Sequence, residues 1–171
     1  MTGIRRAVAG DAPSLAVLAE RTFRDAFGAR NSPENMDLHC TKVFGSDTQL
    51  REIEDPGIVT SIAEEERRMV GFSQLRIPRA HVSVAAARPA ELNRLYVAAE
   101  CRGRGVGADL MRDALDTAAR NGCDWLWLGV WEHNPKAMAF YRRFGLDVVG
   151  THAFMLGQDR QRDLVMAVKL G

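Results

Sequence analysis

The sequence predicts an α/β fold in which helices flank one mixed, mostly antiparallel sheet. Three observations lead to this prediction. The 171 residues, 1–171, match the usual length of a single domain. The runs "IVTSIAEE" and "MVGFSQLRI", on either side of the polar turn "ERR", are typical of a hairpin. In the second half, a strand, a helix and another strand follow in the order of a right-handed parallel crossover.

The N-terminal segment predicts a strand followed by a helix. Residues 4–8 form the strand candidate, Asp11 is expected to cap the helix, and Gly28 is expected to end it. One face of this helix should be buried, because core-type residues recur along it at a spacing of 3.6: Leu15, Leu18, Ala19, Thr22, Phe23 and Ala26.

Two shorter helices are expected next. Pro33 after Ser32 predicts a helix start, because proline favours the first helical position. Ser46 and Gln49 have the spacing of a capping box, which predicts a third helix that stops at "DPG", residues 55–57. We interpret these helices as a wall on the substrate side of the domain.

The crossover consists of "AELNRLYV" as a strand, 105–120 as a helix and "WLWLGVW" as a strand. The last run is apolar on both faces, which suits a buried parallel strand. A helix over 134–144, ended by Gly145, and strands over 146–155 and 162–170 complete the pattern, with "GQDRQR" as the turn between the strands.

Charge and cysteine content exclude several classes of function. Lys+Arg number 23 against 22 Asp+Glu, a net charge of +1, so neither nucleic acid nor an anionic membrane is an expected partner. The three cysteines lack C-x-x-C spacing and the four histidines lack ligand spacing, so no disulfide framework and no metal are expected. No apolar run resembles a signal peptide or spans a bilayer, and a cytoplasmic location is therefore expected.

The segment "VAAECRGRGVGADLM", residues 97–111, predicts a phosphate site. Glycines alternate with arginines at a turn between a strand and a helix, where backbone N–H groups and the helix dipole favour an anion. A tight turn whose glycines serve geometry alone is the alternative. The expected phosphate-binding residues are Arg102, Gly103, Arg104, Gly105, Val106, Gly107 and Ala108.

A dinucleotide-binding site is a second interpretation of the same loop. Gly103-x-Gly105-x-x-Ala108 fits its fingerprint, and Glu132 could hold the ribose. Against it, "AAEC" separates the loop from its strand, and too little chain follows Trp131 to complete a doubly wound sheet. A nucleotide-hydrolase P-loop is excluded, because no Gly-Lys-Ser/Thr follows the glycines.

Two segments together resemble the GNAT superfamily of acyl-CoA-dependent N-acetyltransferases. Arg102-x-x-Gly105-x-Gly107 matches the pyrophosphate motif of that family, and "LNRLYV" resembles the strand before it. "WEHNPKAMAFYRRFGL" is similar to the downstream motif, with Asn134 on the cofactor side and Tyr141 in the helix. The resemblance covers about residues 90–150.

The last part of the chain is similar to a subgroup, the PaiA-like spermidine/spermine acetyltransferases. The similarity lies in "WLWLGVWEHN" and "GTHAFMLGQDRQRDLVMAVKL". A polyamine acceptor would need carboxylates around its site, and the N-terminal helices contain Asp25, Glu34 and Asp37.

The resemblance implies a GNAT fold with two central parallel strands that splay apart and hold acetyl-CoA between them. Backbone groups of Leu95 and Val97 would pair with the pantetheine arm, and the Val97 N–H would contact the thioester oxygen. Asn134 and Tyr141 would lie on the cofactor side. Gly129 fits a place where another group approaches its strand closely, with a simple bulge as the alternative.

The resemblance also implies two catalytic residues. Glu91, eleven residues before Arg102, would take a proton from the acceptor amine, with a solvent-facing or arginine-paired carboxylate as the alternative. Tyr141 would protonate the leaving thiolate, with a core tyrosine as the alternative. Asn134 also fits a helix N-cap. Trp131 is expected in the core or as a wall of the substrate site.

These observations predict an N-acetyltransferase that moves acetyl from acetyl-CoA to a primary amine by direct attack in a ternary complex. The acceptor is expected to be a small molecule, with a polyamine as one candidate. A non-catalytic acyl-CoA-binding module would keep the loop but need neither Glu91 nor Tyr141. A dinucleotide-dependent oxidoreductase is the third alternative. The sequence leaves open whether the protein is a monomer or a homodimer.

Overall fold

A computed structural model describes residues 2–171 and contains one seven-stranded sheet. The strands lie in the order β1-β2-β3-β4-β5-β7-β6, and every neighbouring pair is antiparallel except β4 and β5. This confirms the predicted mixed, mostly antiparallel sheet. The strands are β1 Gly3–Arg6, β2 Ile58–Glu65, β3 Arg68–Arg76, β4 Pro89–Val97, β5 Trp125–Trp131, β6 Asp147–Leu156 and β7 Asp159–Lys169.

Helices cover both faces of the sheet. On one face, Phe23 of the first helix packs with Phe72 of β3, and on the other, Met111 of the crossover helix packs with Leu126 of β5. No helix in the described chain is both long and apolar enough to cross a membrane. The helices are α1 Ala12–Phe27, α2 Pro33–Val43, α3 Ser46–Glu54, α4 Val106–Arg120 and α5 Pro135–Arg142.

The first three predicted helix starts differ in how they are capped. Asp11 is the N-cap residue of α1, as predicted, but its carboxylate forms no capping hydrogen bond with the helix. It accepts instead from the Arg5 guanidinium and the Val8 N–H, because β1 brings Arg5 within reach. Ser46 is the first residue of α3 and its N-cap is Gly45, so the capping box is absent. The Ser32 hydroxyl does cap α2, accepting from the Asn35 N–H at 3.2 Å.

The turn between the last two strands is shorter than predicted. Strand β7 begins at Asp159, so Gly157 and Gln158 alone connect it to β6. The polar residues 160–162 lie in the strand, because this end of the β6–β7 ribbon is largely exposed and backbone pairing tolerates polar side chains there.

The contact between β4 and β5 is short. Three residues of each strand pair, from Pro89 opposite Trp125 to Glu91 opposite Trp127, and no further pairing joins these strands in the described chain. Beyond Glu91 the strands therefore diverge and leave a gap in the middle of the sheet. The predicted splay is present, and it positions the candidate site.

Candidate active site

The β4 edge of the gap exposes backbone hydrogen-bonding groups. The Ala98 N–H donates to the Val70 carbonyl at 2.8 Å, and Val97 lies opposite Gly71. Because bonding alternates along an antiparallel pair, the N–H and C=O groups of Leu95 and Val97 point away from β3 and into the gap. The Arg102 Nε donates to the Val97 carbonyl at 3.3 Å. The Val97 N–H and both backbone groups of Leu95 thus face the gap with no strand to pair with.

The glycine loop lies at the open end of this gap. Gly103 and Gly105 have φ angles of 74° and 88°, in the left-handed region that favours glycine. Gly105 is the N-cap of α4, and the first helical bond runs from the Asp109 N–H to its carbonyl. The N–H groups of 106–108 are therefore without helical partners and are available to an anion.

Gly107 serves a different purpose from the two glycines before it. It lies inside α4 with a helical backbone, and a Cβ atom there would stand 3.7 Å from both Phe140 and Val97. That distance is an ordinary van der Waals contact, so alanine would fit at this position. A branched side chain would fill the space between the loop and α5.

The two loop arginines are not equivalent. The Arg104 guanidinium forms an ion pair with Glu65 at 2.8 Å, so its charge is partly balanced within the protein. Arg102 is exposed, and among the described residues its guanidinium forms no ion pair and hydrogen-bonds only to the Val97 carbonyl. Arg102 is consequently the more available cation at the loop.

Two tyrosines approach the gap from opposite faces of the sheet. Tyr96 of β4 packs against Phe27 and Phe72, whereas Tyr141 projects from α5 and packs with the core around α4. Burial raises the pKa of Tyr141 to about 12, and burial together with the nearby Tyr141 raises the pKa of Tyr96 well above its usual value. Both phenols therefore hold their protons at neutral pH.

Asn134 precedes α5 and caps it. Its Oδ1 accepts a hydrogen bond from the Ala137 N–H at 3.2 Å, which confirms the predicted N-cap. The side-chain amide group remains without a partner among the described residues. This geometry leaves a donor next to the helix that carries Tyr141.

Glu91 lies at the closed end of the gap, beside two arginines. Its side chain is 12% exposed, and it stands 3.8 Å from Arg76 and 3.6 Å from Arg79. Burial raises the pKa of Glu91, and the two guanidinium groups oppose that rise. The arginine-paired arrangement considered for this carboxylate is thus present.

Gly129 is approached closely by a carboxylate of the protein itself. A Cβ atom at Gly129 would lie 3.0 Å from Oδ2 of Asp163, a residue of β7. The pairing of β5 with β7 is regular, so the bulge considered as an alternative is absent. Sequence reasoning missed Asp163. Its spacing of two and four residues from the buried Val165 and Ala167 indicates that it lies on the same inward face of the strand.

A cleft of about 720 Å³ opens at the carboxyl end of β5. Trp131 and His133 line it, and Arg30, which follows α1, stacks over the Trp131 ring at 5.8 Å from its centroid. Trp131 therefore forms a wall of the cleft, as one of its two interpretations expected. The lining contains none of Asp25, Glu34 and Asp37, and Asp37 pairs with Arg24 instead.

A family model for the acetyltransferase (GNAT) family matches residues 18–146. The chain belongs to the GNAT acetyltransferase family. Proteins of this family use acetyl-CoA, and the GNAT-type activity is N-acetyl transfer. The dinucleotide interpretation of the loop is wrong, because the described sheet has a single parallel strand pair where a doubly wound sheet needs several.

Curated relatives that are named N-acetyltransferases match nearly the whole chain. An N-acetyltransferase from Lactobacillus delbrueckii subsp. lactis is 33% identical over 172 residues, covering 97% of each chain. One from Mycobacterium tuberculosis is 32% identical over 160 residues, covering 94% of this chain and 98% of the relative.

Solved structures of other GNAT proteins share the fold. The PaiA N-acetyltransferase from Thermoplasma acidophilum, solved in complex with coenzyme A, superposes with a TM-score of 0.79 at 21% identity and covers 99% of both chains. A GCN5-related N-acetyltransferase from Rhodopseudomonas palustris gives a TM-score of 0.80 at 18% identity, covering 99% of this chain and 96% of its own.

Proposed function

We propose that this protein transfers the acetyl group of acetyl-CoA to a primary amine by direct attack within a ternary complex. The observation that carries the proposal is the gap between β4 and β5. Unpaired backbone groups of Leu95 and Val97 line it, and it ends at the positive-φ turn of Gly105 and the N-terminus of α4. An extended arm with a phosphate end fits this arrangement.

The residues of the loop fit the charged end of acetyl-CoA. Gly103 and Gly105 bring backbone close to an anion, and nothing in the described chain occupies the space a Cβ would fill at either. Arg102 supplies charge, and Arg104 supplies more once its ion pair with Glu65 is exchanged for the pyrophosphate. The Asn134 amide is a further donor on the cofactor side.

Acetyl-CoA supplies an activated acyl carbon, and the protein supplies polarisation and protons. The Val97 N–H donates to the thioester oxygen as charge builds on it. The Tyr141 hydroxyl, protonated at neutral pH, donates to the sulfur that leaves. The resemblance to the family assigns proton removal to Glu91. Arg76 and Arg79 lie within 4 Å of its carboxylate, and their positive charges oppose the approach of an ammonium group.

The acceptor is proposed at the level of a primary amine, with a polyamine as one candidate. Glu132 and Asp159 give the cleft some negative charge that suits a polycation. Arg30, Arg160 and Arg162 line the same cleft, so its charge is mixed. We also propose a reducing cytoplasmic location, which the three buried free cysteines support.

A thiol-release assay tests the proposal. Acetyl-CoA is combined with spermidine, an aminoglycoside, amino acids and a peptide N-terminus in turn, and calorimetry follows the binding of acetyl-CoA. We expect binding and amine-dependent thiol release with at least one acceptor. Tight binding of acetyl-CoA without release for any acceptor would contradict the proposal and favour a non-catalytic acyl-CoA-binding module.

A further inference from the structure

Asp163 is a buried carboxylate without a partner. It is 8% exposed, and within residues 2–171 it forms no hydrogen bond or ion pair through its side chain. Val165 and Ala167, on the same face of β7, are apolar core residues. An unpaired charge in this position costs stability, and such costs are concentrated at functional sites.

The position of Asp163 brings its carboxylate to the mouth of the gap. The residue lies opposite Trp131, a wall of the cleft, and its Oδ2 reaches over Gly129 of β5. Glycine at 129 leaves the space for this approach. The charge of Asp163 also contributes to the raised pKa of Tyr96, which borders the gap from β4. Asp163 does not itself line the cleft, but it is the neighbour of Trp131, which does, and its charge acts on Tyr96 at the gap.

We propose that Asp163 binds the ammonium group of the acceptor and takes its proton; this inference rests on the proposed acetyl transfer. The groups facing Asp163 are Tyr96 of β4, Glu132 at the end of β5 and His152 of β6, with Arg30 on the cleft wall. Burial and the charge of Glu132 raise the pKa of Asp163 to about 6. The group is therefore ionised at pH 7 and basic enough for proton transfer.

The proton balance of the step is complete. The acceptor R–NH₃⁺ gives one proton to the Asp163 carboxylate, and the freed lone pair forms the C–N bond while the C–S bond breaks. The nitrogen loses its second proton as the amide forms. Tyr141 protonates the departing sulfur and is reprotonated by the second proton that the nitrogen releases. Asp163 returns its own proton to water. One thioester and one ammonium thus become one amide, one thiol and one proton.

Glu91 is less suited to this role on electrostatic grounds. Arg76 and Arg79 stand within 4 Å of its carboxylate and repel an incoming ammonium group. It also lies where β4 and β5 are still paired, at the closed end of the gap. Asp163 has neither obstacle. Assigning proton removal to Asp163 or to Glu91 therefore predicts different pH profiles for the two variants.

Kinetics over a range of pH separate them, with butylamine as a simple acceptor probe. An alkylamine of pKa ~10 is unprotonated in only about one molecule in 10³ at pH 7. We expect kcat/KM of the wild type to level off above pH ~6.5, whereas Asp163→Asn is about 10³-fold slower at pH 7 and gains tenfold per pH unit towards the pKa of the amine. Any loss of rate in Glu91→Gln should be the same at every pH, because its carboxylate is not the base in this assignment. Asp147→Asn, an exposed control on the same ribbon, should keep the wild-type profile.

A direct titration covers the case in which butylamine is not acetylated. Carboxyl ¹³C NMR of the wild type follows Asp163, assigned with the Asn variant, with and without butylamine in the presence of acetyl-CoA. Binding of the butylammonium ion should lower the pKa of Asp163 in this titration. Absence of thiol release with every amine tested would contradict the proposed function but not the role of Asp163 in binding the ammonium group. An unchanged Asp163 titration, or an Asp163→Asn profile that matches the wild type, would overturn the assignment of Asp163.

Discussion

Arg104 of the glycine loop and Glu65 at the end of β2 form an ion pair at 2.8 Å. The pair fastens the loop to the outer half of the sheet and occupies a guanidinium that the pyrophosphate of acetyl-CoA would attract. Binding of the cofactor therefore competes with an internal carboxylate. The same carboxylate also accepts a hydrogen bond from the Thr2 hydroxyl.

Glu65→Gln should strengthen acetyl-CoA binding, because it removes the charge that pairs with Arg104, while the glutamine amide oxygen can still accept from the Thr2 hydroxyl. The Arg104 side of the pair is exposed to solvent and such pairs are weak, so we expect a gain of only about two- to fivefold. Calorimetry at low and high salt measures it, and the gain should shrink at high salt. Equal affinities at low salt would show that Arg104 does not reach the cofactor.

Gly105→Val should abolish acetyl-CoA binding while the fold survives. The φ angle of 88° at Gly105 is strained for any side chain and most of all for a branched one. Gly107→Val should also prevent binding by filling the loop, whereas Gly107→Ala is the matched control and should bind within a few-fold of the wild type. Calorimetry and circular dichroism test both points; normal binding by Gly107→Val would contradict the phosphate-loop assignment.

Tyr141→Phe should lower kcat by about 10²–10⁴-fold and change acetyl-CoA affinity only a few-fold. Its hydroxyl forms no hydrogen bond with the described part of the chain, so the melting temperature should hardly change. Tyr96→Phe, on the opposite side of the gap, is the comparison variant. A lower melting temperature with unchanged kcat would assign Tyr141 to the core instead.

Asp163→Asn should make the protein more stable above pH ~6. The pKa of Asp163 is raised to about 6 in the folded protein, from ~3.9 when unfolded, so the folded state binds the proton more tightly. Wild-type stability therefore falls as pH rises between these values and then stays level. The variant lacks this fall, and its advantage should reach as much as about 3 kcal/mol.

Urea denaturation at roughly pH 4 and pH 7.5 measures this difference. Asp147→Asn, exposed on β6, is the control and should show no comparable gain. A variant that gains stability while losing turnover would fit a functional carboxylate. Equal stability of wild type and Asp163→Asn at both pH values would mean that burial of this charge is not costly.

The elements of the fold were largely predictable because their signals are local. Apolar spacing located the helices, and Ser32 before Pro33 located the start of α2. The N-cap position of Asp11 was predictable, but the partner of its carboxylate was not, since Arg5 binds that carboxylate once β1 is in place. Local preference is overridden wherever a distant partner offers a stronger contact.

The candidate site was predictable in part for the same reason. The glycine loop and the cap at Asn134 depend on short segments, and sequence spacing describes both. The convergence of Tyr96 with Asp163 depends on β7 lying beside β5, which no local pattern specifies. The sequence shows that Asp163 shares a strand face with the buried residue Val165. Its contacts with Gly129 and Trp131 could be known only once β7 was placed beside β5.

The three-residue contact between β4 and β5 divides the sheet into two halves that share a narrow hinge. The first half makes most of the contacts of α4, although Met111 of this helix also packs with Leu126 of β5. The second half consists of β5, β7 and β6. An arm bound along Leu95 and Val97 would act as a missing strand and couple the halves mechanically. Amide exchange in β5 should therefore slow when acetyl-CoA binds, and the two halves should unfold together.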